Sequence, residues 1–108
     1  MAASLTGRCD CGAVTITVPS LPDEINACPC DYCRRAGARW GYYKAGSAGI
    51  SGETATYRRA AKVADFHRCP TCGILTHWDG NGVTPHMGVN MSNFDQEALS
   101  GIPVVEDP

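Results

Sequence analysis

The stretch Gly7-Arg8-Cys9-Asp10-Cys11-Gly12-Ala13-Val14-Thr15-Ile16-Thr17-Val18 couples two features that decide the fold. Two cysteines one residue apart are followed at once by glycine, and then branched apolar and hydroxyl residues alternate. The alternation is that of a half-buried strand. The cysteines ahead of it form a short turn whose two thiols reach the same point in space. A glycine after the second cysteine lets the backbone take positive φ and aim N–H groups at sulfur, as a metal knuckle requires. The same signature returns at Cys69-Pro70-Thr71-Cys72-Gly73, and a denser cluster lies between them at Cys28-Pro29-Cys30-Asp31-Tyr32-Cys33.

The chain therefore holds 7 cysteines in 108 residues, each within a few positions of another. An odd number grouped this tightly points to metal or catalysis, because disulfides consume cysteines in pairs. Zinc prefers about four ligands in a tetrahedron, so seven thiols divide into four plus three. Four close a site and exclude chemistry; three leave a position for water or substrate. Spacing alone does not say which cysteines share a metal, since Cys30 and Cys33 with the last pair would also leave three over. A wholly structural reading, with His67 as a fourth ligand of the second site, stands beside the catalytic one.

Composition sets the frame. At 44% apolar and 19% charged, the chain fits one domain, 1–108, and its 7% aromatic content implies help from something besides apolar area. A formal charge of −2 with no basic block gives no support to a nucleic-acid surface. No apolar run has the length of a spanning helix, and the N-terminus lacks a signal-peptide layout, so the expectation is a cytoplasmic protein away from membranes.

Strand signals dominate the rest of the chain. Gly12 to Val18, Ile25 to Cys28 as an edge strand, Arg39 to Lys44, Thr54 to Tyr57, Val63 to Arg68, Ile74 to Trp78 and Pro85 to Met91 read as strands. Arg34 to Ala38 reads as one helical turn stopped by Gly37, Ala45 to Gly52 as a turn region, Gly80-Asn81-Gly82 as a turn, and the residues after Met91 as a polar tail. The sum is a small, mainly β, antiparallel domain pinned by zinc.

The order Gly7-x-Cys9-x-Cys11-Gly12, Cys28-x-Cys30-x-x-Cys33-Arg34 and Cys69-x-x-Cys72-Gly73 resembles the glutathione-dependent formaldehyde-activating enzyme family, which also includes centromere protein V. The match runs from about Leu5 to Val105. The resemblance implies a β-tent fold with two zincs: a structural one on Cys9, Cys11, Cys69 and Cys72, and a labile catalytic one on Cys28, Cys30 and Cys33. It implies a carbon–sulfur lyase or synthase that adds a metal-activated thiol, glutathione or similar, to formaldehyde or another small aldehyde, as in aldehyde detoxification. The chain departs from the family pattern at Pro29, where many members carry histidine, and at Arg68, where many carry an aromatic residue. It is also shorter than members with extra segments around the glutathione groove.

Around the open cluster, Arg34, Arg35 and Arg39 are candidates to attract the carboxylates of such a thiol, and Tyr32 to donate to a developing alkoxide. Trp40, Tyr42 and Tyr43 read as pocket lining or core, and His77 and His86 as structural or surface. A zinc-stabilised binding module that carries a thiol without turnover is the competing function. Redox cycling of Cys30 and Cys33 ranks below both, because no thioredoxin-type βαβ pattern accompanies it.

Overall fold

The computed structural model of the chain describes residues 4–58 and 64–107. Its strands form two sheets. β1 (Leu5–Arg8), β2 (Thr15–Val18) and β5 (Gly49–Ser51) make a small antiparallel sheet in the order β1-β2-β5. The larger sheet runs β10-β3-β4-β9-β8-β7-β6, from β10 (Val104–Val105) and β3 (Ile25–Asn26) through β4 (Trp40–Lys44), β9 (His86–Asn90), β8 (Leu75–Asp79) and β7 (Asp65–Arg68) to β6 (Ala55–Arg58). All its pairs are antiparallel except β10 with β3. One short helix, α1 (Asp31–Ala36), rises from the central cysteine cluster. No helix among the described residues is long and apolar enough to cross a membrane.

Strand alternation builds the core. Ile16 and Val18 of β2 point at the large sheet and meet Tyr43 of β4 and Met87 and Val89 of β9, with Ile50 of β5 packed against the cluster. The opposite face of the large sheet carries Trp40, Phe66 and Trp78, and this second cluster embeds Cys28, Cys30 and Cys33. A third, small cluster of Cys9, Val14 and Cys69 joins the two sheets at one end. Sheet stacking closes one face of the large sheet, while the cysteine triad sits on the other.

The expected strands are present, most of them shorter and two shifted by one residue, and the structure corrects several readings. Residues 12–14 belong to the knuckle, so the strand starts at Thr15; Val63 lies outside the described residues. β1 and β5 had no strand reading. Both are short, and β5 lies in a Gly/Ala/Ser-rich stretch whose only apolar anchor is Ile50, which is why composition favours a turn there. β3 is not an edge strand, because Val104 and Val105 pair beside it in parallel. The segment after Met91 is no solvated tail: Phe94 and Leu99 are core residues, and Asp107 exchanges hydrogen bonds with the Asn26 side chain. Its apolar residues are too widely spaced to show a period. The helix starts a turn earlier than expected, at Asp31, because the Cys30 side chain accepts from the backbone N–H of Cys33 and caps it.

Close packing dictates Gly88. A Cβ there would lie 2.0 Å from Trp78 Nε1 and 2.6 Å from Cδ1, so the indole lies directly on the β9 backbone.

Candidate metal centres

Two knuckles face each other across the junction of the sheets. The first leaves β1 at Cys9, whose backbone N–H bonds the Val14 carbonyl at 3.0 Å while Gly12 N–H returns to the Cys9 carbonyl at 3.1 Å. The second leaves β7 at Cys69 and repeats the pattern, with Cys69 N–H on Ile74 O at 3.0 Å and Gly73 N–H on Cys69 O at 2.9 Å. Gly12 (φ 81°) and Gly73 (φ 79°) both occupy the left-handed region that L side chains avoid. These turns aim amides at sulfur: Val14 N–H donates to Cys9 Sγ at 3.3 Å, and Thr71 and Cys72 N–H each donate to Cys69 Sγ at 3.4 Å.

The four sulfurs of Cys9, Cys11, Cys69 and Cys72 lie within 4.8 Å of one another. Cys9 and Cys11 are 3.8 Å apart, and Cys11 and Cys69 are 3.6 Å apart. A tetrahedron with Zn–S near 2.3 Å has an edge of about 3.8 Å, so the spacing fits zinc. It is far beyond a disulfide bond of about 2.05 Å, and all seven cysteines are free thiols. Backbone N–H groups of Cys11 and Ile74 pull the Cys72 thiol down to about 6. Cys11 goes the other way, to about 11: the Ala13 amide favours its thiolate, but the neighbouring Cys69, Cys9 and Cys72 sulfurs and burial outweigh it. Four thiolates oppose one another's charge, which a divalent cation relieves.

The sulfurs of Cys28, Cys30 and Cys33 form the second group, also within 4.8 Å. Cys28 comes from the loop after β3, Cys30 is the cap of α1 and Cys33 lies in its first turn. Gly37 (φ 66°) ends the helix, and Ala38 N–H bonds the Cys33 carbonyl at 3.1 Å, which delivers the chain directly into β4. Trp40, the first residue of β4, donates its indole N–H to Cys33 Sγ at 3.3 Å. Burial, reinforced by the Cys30 contact and opposed by the Trp40 N–H, pushes the Cys33 thiol up to about 12. With only three sulfurs, this set fits a zinc that keeps an exchangeable position.

The residues around the triad separate into two clefts. Arg34 and Arg39 line a cleft of about 290 Å³ together with Cys28, Cys33 and Glu106. Arg35, one helical position on, faces a different cleft of about 550 Å³ with Asp31, Tyr32 and Tyr57. Adjacent helical residues point about 100° apart, so the two arginines cannot share one face. Arg34 also pairs loosely with Asp31 at 3.8 Å, where both side chains are exposed and the contact contributes little. Tyr32 packs its ring against Phe66, with centroids 4.2 Å apart, and stacks on Tyr57 at 5.8 Å. Trp40 and Tyr43 are core; Tyr42 is exposed and its hydroxyl accepts from Asn26 Nδ2 at 2.7 Å. Burial raises the Tyr42 pKa, the Asn26 hydrogen bond opposes this, and the charges of Cys28 and Cys33 add to the rise.

His67 is not a ligand candidate for either cysteine set. It belongs to a third group, with His77 and Asp79. His77 is buried in this group and His86 is exposed. Sequence reasoning missed the Trp40 hydrogen bond, the part played by Tyr57 and Glu106, and the convergence of the histidines. Only the register of β7 and β8, invisible in one dimension, creates that last cluster.

Two sheets leaning together over a four-cysteine junction, with a three-cysteine group set in the outer face, define a small β protein built around two potential zinc centres. The sequence model of the glutathione-dependent formaldehyde-activating enzyme family matches residues 4–105, and the chain belongs to that family. Its structure is similar to the crystal structure of a Rhodobacter sphaeroides protein, with a TM-score of 0.76 and 27% sequence identity over 94% of this chain and 100% of that one. No curated protein matches the chain in sequence.

Proposed function

We propose that the chain is a zinc-dependent enzyme that adds a thiol to a small aldehyde, with Cys28, Cys30 and Cys33 holding the catalytic ion and Cys9, Cys11, Cys69 and Cys72 holding a structural one. The observation that carries this reading is the triad itself: three converging sulfurs, two of which line a cleft edged by Arg34 and Arg39. When bound there, the ion supplies the positive charge that keeps an incoming thiol deprotonated at neutral pH.

The chain's own residues supply position and polarity. The Trp40 N–H holds Cys33 Sγ in place and spreads its charge. Arg34 and Arg39 attract the carboxylates of a glutathione-like thiol, and Arg35 serves the neighbouring cleft. The reaction joins sulfur to the carbonyl carbon: R–SH and R′CHO become R–S–CH(OH)R′, with the thiol proton ending on the new hydroxyl. Two phenols are the candidate donors to the developing alkoxide: Tyr32, packed in the cluster that holds the triad, and Tyr42, which feels the charges of Cys28 and Cys33. Tyr42 accepts from Asn26, which leaves its own O–H to donate, and its raised pKa keeps that proton in place. In the cell the expected setting is the cytoplasm, with formaldehyde and glutathione or a similar thiol as reactants.

The test is exchange spectroscopy of formaldehyde with glutathione, cysteine and other small thiols, against a protein-free control because the uncatalysed addition is itself quick. Acceleration with one thiol, abolished in Cys30→Ser, is expected. No acceleration with any thiol in zinc-loaded protein would instead make the chain a thiol-binding module.

A further inference from the structure

The face of the large sheet opposite the cysteine triad carries a polar cluster that the thiol chemistry does not use. His67 of β7 and His77 of β8 are direct cross-strand partners, and Asp79 follows His77 by two residues, so all three side chains emerge on one face. The imidazole rings stack with centroids 4.1 Å apart and planes 12° from parallel. His67 Nε2 lies 2.6 Å from Asp79 Oδ2. One ligand atom from each of the three falls within 4.8 Å of the others.

The hydrogen-bond directions say which nitrogens are available. Thr76 Oγ1 donates its only proton to the His67 carbonyl at 3.1 Å, so toward His77 Nδ1, 2.9 Å away, it acts as acceptor. His77 Nδ1 therefore carries hydrogen. In the neutral ring with hydrogen on Nδ1, the lone pair lies on Nε2. That Nε2 makes no hydrogen bond among the described residues. The Nδ1 of His67 is likewise held by a hydroxyl, Thr54 Oγ1 at 2.8 Å. His77, with Nδ1 fixed by an oxygen and a lone pair on Nε2, has the arrangement found around metal-bound histidine. The Asp79 side chain, 38% exposed, gives the cluster an opening to solvent.

We propose that His67, His77 and Asp79 form a third metal site, independent of the cysteines, that takes a borderline divalent cation of the Zn²⁺, Co²⁺ or Ni²⁺ kind. Two imidazole nitrogens and one carboxylate suit such ions and leave coordination positions for water or an anionic ligand. The cation takes the place of the direct contact between His67 Nε2 and Asp79 Oδ2. Stacked near parallel, the rings meet one ion when one of them turns about its Cβ–Cγ bond so that both in-plane lone pairs converge.

Histidine side-chain nitrogen NMR on the full chain, titrated with zinc chloride, tests this directly because the chain has 3 histidines. The imidazole nitrogens of His67 and His77 should shift together with one affinity, while exposed His86 does not follow them. Asp79→Asn should weaken that affinity at least about tenfold, and in His77→Gln the His67 signal should respond at least that much more weakly. A chain whose cysteines bound no metal would still show the shifts, so failure here is distinct from failure of the proposed thiol chemistry. Histidine signals of the unmutated chain that stay fixed up to millimolar zinc, or an affinity unchanged in Asp79→Asn, would overturn the site.

Discussion

Replacing Cys69 by serine should nearly abolish folding, whereas replacing Cys30 by serine should leave a folded chain. The reason lies in what each cysteine set ties together. Cys11 and Cys69 bring their sulfurs to 3.6 Å across a separation of 58 residues, and they join the small sheet to the large one. Fixing such a loop removes about 4 kcal/mol of chain entropy from the unfolded state, against about 2 kcal/mol for the six residues from Cys28 to Cys33. Losing one of four ligands from a structural zinc also forfeits part of a binding energy on the order of 10 kcal/mol. Total stability of a domain this size is about 5–15 kcal/mol. Cys69 is moreover 0% exposed, so the serine hydroxyl would be buried among groups arranged for sulfur. The Cys30 side chain instead caps a helix, where serine is itself a favoured cap. The assay is a thermal melt by circular dichroism of zinc-loaded protein, with Cys9→Ser and Cys72→Ser as companions of Cys69→Ser. The loop term alone lowers the midpoint by about 15 °C or more. A Cys30→Ser melt as depressed as that of Cys69→Ser, or a Cys69→Ser protein as stable as its parent, would refute this assignment of sulfurs to sites.

Mild chelation should remove zinc from the triad first and leave about one equivalent per chain with the fold intact; two equally resistant ions would count against the four-plus-three division. Trp40→Phe deletes the hydrogen bond to Cys33 Sγ and should weaken zinc at the triad by about 10-fold or more, with the four-cysteine site unchanged, as read by competition with a chromophoric chelator. Gly88→Ala drives a methyl group into the Trp78 indole and should cost about 1–3 kcal/mol, visible as a lower melting midpoint with altered tryptophan fluorescence. Burial, with the charge of His67 adding and that of Asp79 opposing, lowers the His77 pKa from 6.5 to about 4. Because the unfolded chain binds that proton more readily, the contribution of a neutral His77 is complete above about pH 6.5 and is lost as pH falls toward 4, up to about 3 kcal/mol. The pH dependence of stability across that window should be shallower in His77→Gln, as measured by denaturant melts.

Much of the candidate chemistry was legible along the chain because zinc knuckles are local objects. Cys9 with Cys11, and Cys69 with Cys72, meet through a few bonds of backbone, and Gly12 and Gly73 mark the left-handed turns that aim amides at sulfur. The same holds for the triad, whose three sulfurs lie within six consecutive residues. Alternation in Thr15–Val18 likewise announces a strand, since one of its faces is buried. Strands with weak periodicity were hidden: β5 has one apolar anchor, and β10 exists because Val104 and Val105 find β3 beside them.

By itself the sequence determined the knuckles, the grouping of cysteines into sets and the β character of the chain, because each rests on contacts within a few residues. Tertiary structure alone decided which pair joins which. It brought Cys11 beside Cys69 and buried Phe94 and Leu99 from a segment with no visible period. It turned Arg34 and Arg35 into different clefts, and it set His67 opposite His77 by the register of β7 on β8. The physical reason is common to all of these. Cross-strand neighbours are selected by the packing of two sheets against each other, and a shift of one residue in that register would send every side chain to the other face.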